Sequence, residues 1–408
     1  MLRVASVVAM VFALFVALLF VAMGSFVVTA CAEETAASQN GGSCERSADP
    51  PAPDSPVDIP DYQADAEQLD PQQEAAMSAW QEYQQSVFDS LSRSGDPRDW
   101  ALATLTMAVR FVSNKQPQDQ DRVTALLERA IRAAPDDSVV LWIAAYANPA
   151  ADHLALSKSA AQRLQHLESQ NAVVWLDDLN SAVQRKDERA IDAALAKMAT
   201  ATRFDTHTVE LMKALVDVYQ RYPSPDFNTA LEGAASEEIP AELMPYTIAM
   251  SVTAMAGPPP VHQIIAACRA KPGQTSVRAG DCASIGHVMV GHGDTMLANK
   301  LGYSVLRVSN TYTDEDVRGA RNDDWAQEKV FERALATKTD LTSAQAILAF
   351  QTDWIATGSE VEAMRLQLDR IGLPHIPPED WVDASSPFSS ERLRKDAEWA
   401  EKAEATPK

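Results

Sequence analysis

The chain has 408 residues, 46% of them hydrophobic, enough to bury at least one large core. Lys and Arg number 35 against 57 Asp and Glu, a formal charge of -22. A surface of that sign repels phosphate backbones and anionic headgroups, which argues against a nucleic-acid partner.

One basic residue, Arg3, precedes an apolar run from Val4 to Ala30 that carries no acid or base. That order is the order of an export signal, and a run of ~20 apolar residues also suffices to span a bilayer. Basic charge stays on the inner side, so the remainder is expected outside the cytoplasm. Val28-Thr29-Ala30-Cys31 resembles the lipobox of bacterial lipoproteins, with Val28 where that family usually has Leu. The resemblance implies cleavage before Cys31 and lipidation of that cysteine, tethering the body to a membrane of the bacterial cell envelope so that it faces the periplasm. An uncleaved anchor over residues 1–30 and plain secretion remain open beside it. Residues 31–70 then form a linker: Gly41-Gly42-Ser43 and Pro50, Pro51, Pro53, Pro56 and Pro60 stand among few large apolar side chains. Such a composition predicts an extended or disordered tether.

From Pro71 the apolar spacing becomes helical. Val123, Leu126, Leu127, Ala130, Ile131 and Ala134 fall on one face of a 3.6-residue helix. Ile191, Ala194, Leu195 and Met198 do the same, as do Leu211, Leu215, Val218 and Tyr222, and later Val361, Met364, Leu368 and Ile371. Asp96-Pro97 and Asp294-Thr295 read as helix starts. Strand signals are nearly absent, so the expected fold is all-α.

Ser138–Ile143 and Asn171–Leu176 share a capping residue, an apolar start and a Trp, with the two tryptophans 33 positions apart. Ala125–Asp137 is similar to the second helix and closing turn of a tetratricopeptide repeat, with Ala130, Ile131 and Pro135 in place, and Lys186–Ile191 looks like the start of another such helix. The resemblance covers about residues 96–222. It implies stacked helix pairs, an α-solenoid whose concave face binds a peptide or protein partner. Trp142, Tyr146, Trp175 and Asn180 are candidates to line that face, while most of the eight tryptophans also read as packing anchors between helices. Periodicity alone gives helices, which an irregular helical bundle also explains.

The repeat-like region is expected over residues 71–256 and a second helical region over 257–408, after the break Gly257-Pro258-Pro259-Pro260. Cys268 and Cys282, 14 positions apart, flank Lys271-Pro272-Gly273, a turn between two helices; in an exported chain they are expected to be bridged. Cys44 is then free, or paired with Cys31 if that residue escapes lipidation. Gly286, Gly291, Gly293 and Gly302 predict closely packed helices with a break at Gly291. Asn322-Asp323-Asp324-Trp325 reads as the opening of another helix. After Pro374, Pro377 and Pro378, Trp381 and Phe388 are expected to dock a loop, and a charged helix from Ser390 to cap the stack.

Reactive chemistry is hard to find. Cys282, His287, His292 and Asp294 cluster, but histidines five apart on a helix point about 140° from each other, so no metal site is expected. His153, His166, His207, His262 and His375 are scattered singly and read as surface or satisfied core residues. Asp177-Asp178 and Asp323-Asp324 read as solvated faces. No nucleophile elbow, phosphate loop or zinc-protease helix is present, so no catalytic residue and no cofactor are expected. The sequence therefore reads as a non-enzymatic, membrane-tethered helical scaffold for protein partners. The alternative is an exported enzyme whose site is assembled from distant residues, marked by a deep pocket with converging titratable groups.

Overall fold

A computed structural model describes residues 71–111, 117–147, 154–225, 240–256, 261–270, 275–336, 341–382, 386–388 and 393–394. The expectations for residues 1–70, the break at 257–260, the turn at 271–273 and most of the helix from Ser390 lie outside them. Among the described residues the regular structure is all helical, with 15 α-helices and two single-residue β-bridges, Asn171 to Arg203 and Phe204 to Gly293. The chain divides into two compact units. One takes in Met1–Trp80 and Asp226–Glu238, of which residues 71–80, the start of the first helix, are described. The other, Gln81–Pro225 with Ile239–Lys408, holds everything that follows.

After α1 (Pro71–Ser92), the chain folds into four helical hairpins. They are α2 (Pro97–Phe111) with α3 (Pro117–Ala133), α4 (Ser138–Trp142) with α5 (Leu154–Leu167), α6 (Leu176–Gln184) with α7 (Glu188–Ala199), and α8 (Thr208–Arg221) with α9 (Met244–Ala256). Each hairpin opens at an Asp or Asn whose carboxylate or amide oxygen accepts the backbone N–H two residues on. Asp96 takes Arg98 at 2.9 Å, Asp137 takes Val139 at 3.0 Å, Asn171 takes Val173 at 3.3 Å, and Asp205 takes His207 at 2.8 Å. Short side chains with an oxygen at this distance satisfy the N–H groups that a helix start leaves without partners.

Asp137, Asn171 and Asp205 stand 34 positions apart, so the repeat runs in steps of 34, one more than the tryptophan spacing gives. Trp142 lies five residues after its cap and Trp175 four. One residue turns a helical side chain by about 100°, and the two tryptophans accordingly face different surroundings. The apolar faces expected of α3, α7 and α8 are buried through Val123, Leu127 and Ala130, Ile191, Leu195 and Met198, and Leu211, Leu215 and Val218. Arg129 of α3 lays its guanidinium 3.7 Å from the Trp100 ring centre on α2. The first and fourth hairpins also meet: α2 packs on α9, and Arg221 of α8 grips the buried Asp99 of α2 at 2.6 and 3.1 Å.

The second half continues with α10 (His262–Cys268), α11 (Ser276–His292), α12 (Met296–Val308), α13 (Asp314–Ala336), α14 (Leu341–Thr357) and α15 (Glu360–Ile371). A disulfide joins Cys268, the last residue of α10, to Cys282 in α11, with Cα atoms 5.6 Å apart and both residues fully buried. Closing a loop of about 15 residues stabilises the fold by ~3 kcal/mol in the chain-entropy view. Helices α11 and α12 approach through glycine: a Cβ on Gly302 would lie 2.8 Å from the Gly286 carbonyl oxygen. The helix break expected at Gly291 falls instead at Gly293, because α11 runs on through His292, and a Cβ on Gly293 would meet the Met289 carbonyl at 2.5 Å.

Helix α13 starts at Asp314, eight residues before the expected opening at Asn322, and Thr313 caps it together with Asp316. Asp323 and Asp324 are consequently mid-helix and buried, which corrects their reading as a solvated face. Asp323 accepts from Asn299, Tyr303 and Arg365 at 3.1, 3.1 and 2.8 Å, while Lys300 lies 2.6 Å from Asp324. Trp381 docks edge-on against Trp325 and Phe388 against Tyr303 and Tyr312. Packing crosses residue 257 freely: α7 lies on α11, where the buried Arg278 binds Glu188 at 2.7 Å and Asp192 at 2.5 Å.

Candidate functional site

The four residues expected to line a binding face separate into two pairs. Trp142 is buried within an aromatic stack, 4.6 Å from the Tyr146 ring and 4.7 Å from the His207 imidazole. Its ring serves packing between helices. Tyr146 sits in a π-helical turn, Ile143–Ala147, that extends α4; its hydroxyl is buried without a hydrogen-bond partner among the described residues. Trp175 and Asn180 are half-exposed on the third hairpin. Trp175 carries the Lys197 ammonium 4.3 Å from its ring centre, and Lys197 reaches Asp178 at 3.4 Å. Asn180 accepts a bond from Gln184 at 3.3 Å. Of the adjacent acids, Asp177 is partly buried, and burial, with Asp178 beside it, raises its pKa.

Beside Trp142 lies a buried charged cluster around His207. His207 holds a left-handed backbone at φ 55°, which leaves its ring buried between two acids. Its Nε2 lies 3.0 Å from Glu168 and its Nδ1 2.8 Å from Glu210. Burial alone would strip the proton from this ring, but the bonds to Glu168 and Glu210 outweigh it and hold the pKa up at about 10. Glu168 is buried too, yet the bond and charge of His207 bring it down to about 2. Asn171 donates its amide to Glu168 at 3.1 Å and Arg203 adds a bond at 2.9 Å. The cluster is thus a closed ion network with each charge answered.

A second cluster lies where residues 204–208, 292–296 and the start of α15 meet. Asp294 is buried; its Oδ2 accepts the Thr206 hydroxyl at 2.6 Å and the Thr208 N–H at 3.3 Å, while Oδ1 has no partner among the described residues. The Asp294 carbonyl accepts the Trp354 indole N–H and the Glu360 N–H, each at 3.1 Å. Glu360 in turn accepts the Met296 N–H at 2.7 Å. The helix start read at Asp294-Thr295 is there: Thr295 caps α12, accepting the Ala298 N–H at 3.1 Å.

The residues weighed for a metal go to separate partners. Cys282 is in the disulfide, His287 lies 3.3 Å from Asp316, His292 gives its carbonyl to Phe204, and Asp294 faces the threonines. Among the described residues no three His, Cys, Asp or Glu side chains form a group that could hold a metal ion. No described helix is long and apolar enough to cross a membrane. Nothing in the spacing of Glu168, His207 and Asp294 along the sequence marks them as linked; the Asn171 side chain joins Glu168 to the loop that carries His207, and Thr206 of that loop joins it to Asp294.

Compared with family models, curated proteins and solved structures, the chain matches none.

Proposed function

We propose that this is a cell-envelope protein, tethered through a lipid on Cys31 and facing the periplasm, whose helical body serves as a non-enzymatic scaffold for protein partners. The observation that carries the proposal is the buried Cys268–Cys282 disulfide, because such a bridge persists in oxidising compartments and agrees with the export-type run at Val4–Ala30. The 34-residue recurrence of Asp137, Asn171 and Asp205 supports a degenerate tetratricopeptide-like ancestry for the first hairpins, since stacked helix pairs of that family share this period. An open solenoid lets each repeat touch its neighbours alone, whereas α2 packs on α9; the body is better read as a closed variant than as an extended superhelix.

Partner contact is assigned to the half-exposed Trp175 and Asn180, not to Trp142. Large, partly exposed aromatics beside adaptable amides are typical of contact surfaces. Incorporating a photo-crosslinking amino acid at Asn180 in intact cells is expected to yield a discrete covalent product. The same residue at Gln184, one turn away, should yield less of it. No product at either position removes the scaffold reading. Mass spectrometry of the mature chain is expected to show an acylated Cys31 at its N-terminus; an intact Met1 would replace the lipid tether by an anchor helix.

A further inference from the structure

We propose that the Trp175 ring and the Asp178 carboxylate are a docking site for a basic side chain of the protein partner, with Lys197 as an internal stand-in that the partner's arginine or lysine displaces. The inference rests on the scaffold reading above and adds the chemistry of the occupant. Trp175 and Asp178 stand three positions apart at the opening of α6, so they share one side of it. From the last turn of α7, the Lys197 ammonium lies 4.3 Å from the ring centre and 3.4 Å from the Asp178 Oδ2. An aromatic face and a carboxylate together already hold a cation. The Trp175 indole N–H donates to the Ser169 carbonyl at 3.4 Å, which fixes the ring while part of it stays open to solvent.

Other cation–ring contacts among the described residues are closed to an incoming group. Phe88, Trp100 and Trp325 are buried beneath Arg122, Arg129 and Lys329. Arg221 on Tyr222 is committed to the buried Asp99, and Arg321 on Trp381 to the carbonyls of Pro378 and Trp381. Lys197 has no such anchor: its side chain and that of Asp178 are 49% and 45% exposed. An exposed ion pair of this kind is weak, because holding a long side chain in one place costs rotamer freedom. Once displaced, the ammonium stays at the C-terminal turn of α7, where the carbonyl ends favour positive charge.

Charge decides what takes its place. The chain carries a formal charge of -22, so it draws positively charged partners and repels acidic ones. At the site itself, Asp177 makes no ion pair among the described residues, and burial, with the Asp178 charge beside it, raises its pKa. Lys197 therefore answers one of two adjacent acids, and an arriving cation restores the balance. Arginine suits the site better than lysine, since its flat guanidinium stacks on an indole and meets a carboxylate with two donors.

Labelling the full chain with fluorotryptophan tests the site, the Trp175 fluorine signal being assigned from Trp175→Phe. The probe is a short flexible peptide of alternating arginine and serine, compared with the same peptide carrying neutral citrulline in place of arginine. At physiological salt the arginine peptide is expected to shift the Trp175 signal saturably, and the citrulline peptide to leave it in place. Lys197→Gln should bring half-saturation to an about two- to fivefold lower peptide concentration, the worth of one exposed cation–ring contact. Lys213→Gln, at an exposed position of α8, makes the same change of net charge and should do less. Asp178→Asn should weaken binding more than Asp217→Asn, its exposed counterpart on α8. A Trp175 signal that ignores the arginine peptide, follows both peptides alike, or responds equally to the two lysine variants overturns the docking site. A silent Trp175 signal beside a cross-link at Asn180 in cells removes the basic occupant and keeps the scaffold. The absence of any cross-link in cells removes the protein partner, and the docking site with it.

Discussion

His207 shows how far one residue's surroundings depart from what its type announces. A solitary histidine on a helical chain is usually a surface or core residue, and His207 is a core residue of an unusual kind: a buried imidazolium held by Glu168 and Glu210. The signs follow from the two shifts. His207, raised to about 10, contributes fully below its unfolded pKa near 6.5 and loses the contribution as pH rises towards 10. Glu168, lowered to about 2, contributes above about 4.5 and loses it as pH falls towards 2. The pair is therefore strongest between about pH 4.5 and 6.5. Nitrogen NMR of the ring should find His207 still doubly protonated at pH 8, and His207→Gln should cost most stability inside that window. A ring that titrates near 6.5 would contradict the network. Sequence could not reveal it, because Glu168 and His207 are 39 positions apart and meet through the Asn171 side chain, which bonds Glu168, Val173 and Asp205 at once.

At the scale of elements much more was legible. The apolar stripes of α3, α7, α8 and α15 and the starts at Asp96 and Asp187 follow from spacing and capping chemistry, which act over a few residues and are written locally. What escaped was register. Trp142 and Trp175 suggested equivalent positions, but their distances from the caps differ by one residue, and one ring is buried while the other is half-exposed. Asp323-Asp324 escaped for a similar reason, since the opening of α13 at Asp314 shifts both acids to the face that meets α12 and α15. Glycines illustrate the contrast inside one pair of helices. Gly302→Ala would push a methyl group against the Gly286 carbonyl and the Met289 side chain, both at 2.8 Å, and is expected to destabilise by about 1–3 kcal/mol. Gly280→Ala meets nothing within 4 Å and should stabilise by about 0.5–1 kcal/mol, the helix-interior difference between the two residues. Urea unfolding of the two variants checks both signs.

For the whole molecule, the expected division at residue 257 is crossed by packing that no local pattern announces. Arg278 is the clearest case: it sits buried in α11, yet its guanidinium is spent on Glu188 and Asp192 of α7, some ninety positions earlier. Glu188 is exposed and Asp192 half-exposed, so both rehydrate when the arginine is removed. Arg278→Met is expected to cost about 1–3 kcal/mol, not the larger penalty of stranding a buried charge. Loss of the arginine should move the unfolding of tryptophans on both sides of residue 257, read by fluorescence, to the same lower denaturant concentration. Independent halves would shift one set and leave the other.

The cysteine bridge carries an implication for manufacture of the molecule. Its sulfur atoms are sealed beneath α10, α11 and α12, where a bulky oxidant cannot reach them once those helices have closed. Bond formation must then come before closure, or await a reopening of that region. A chain matured in a reducing cytosol would trap both thiols inside, chemically silent, and air alone would mend it only as fast as the body breathes.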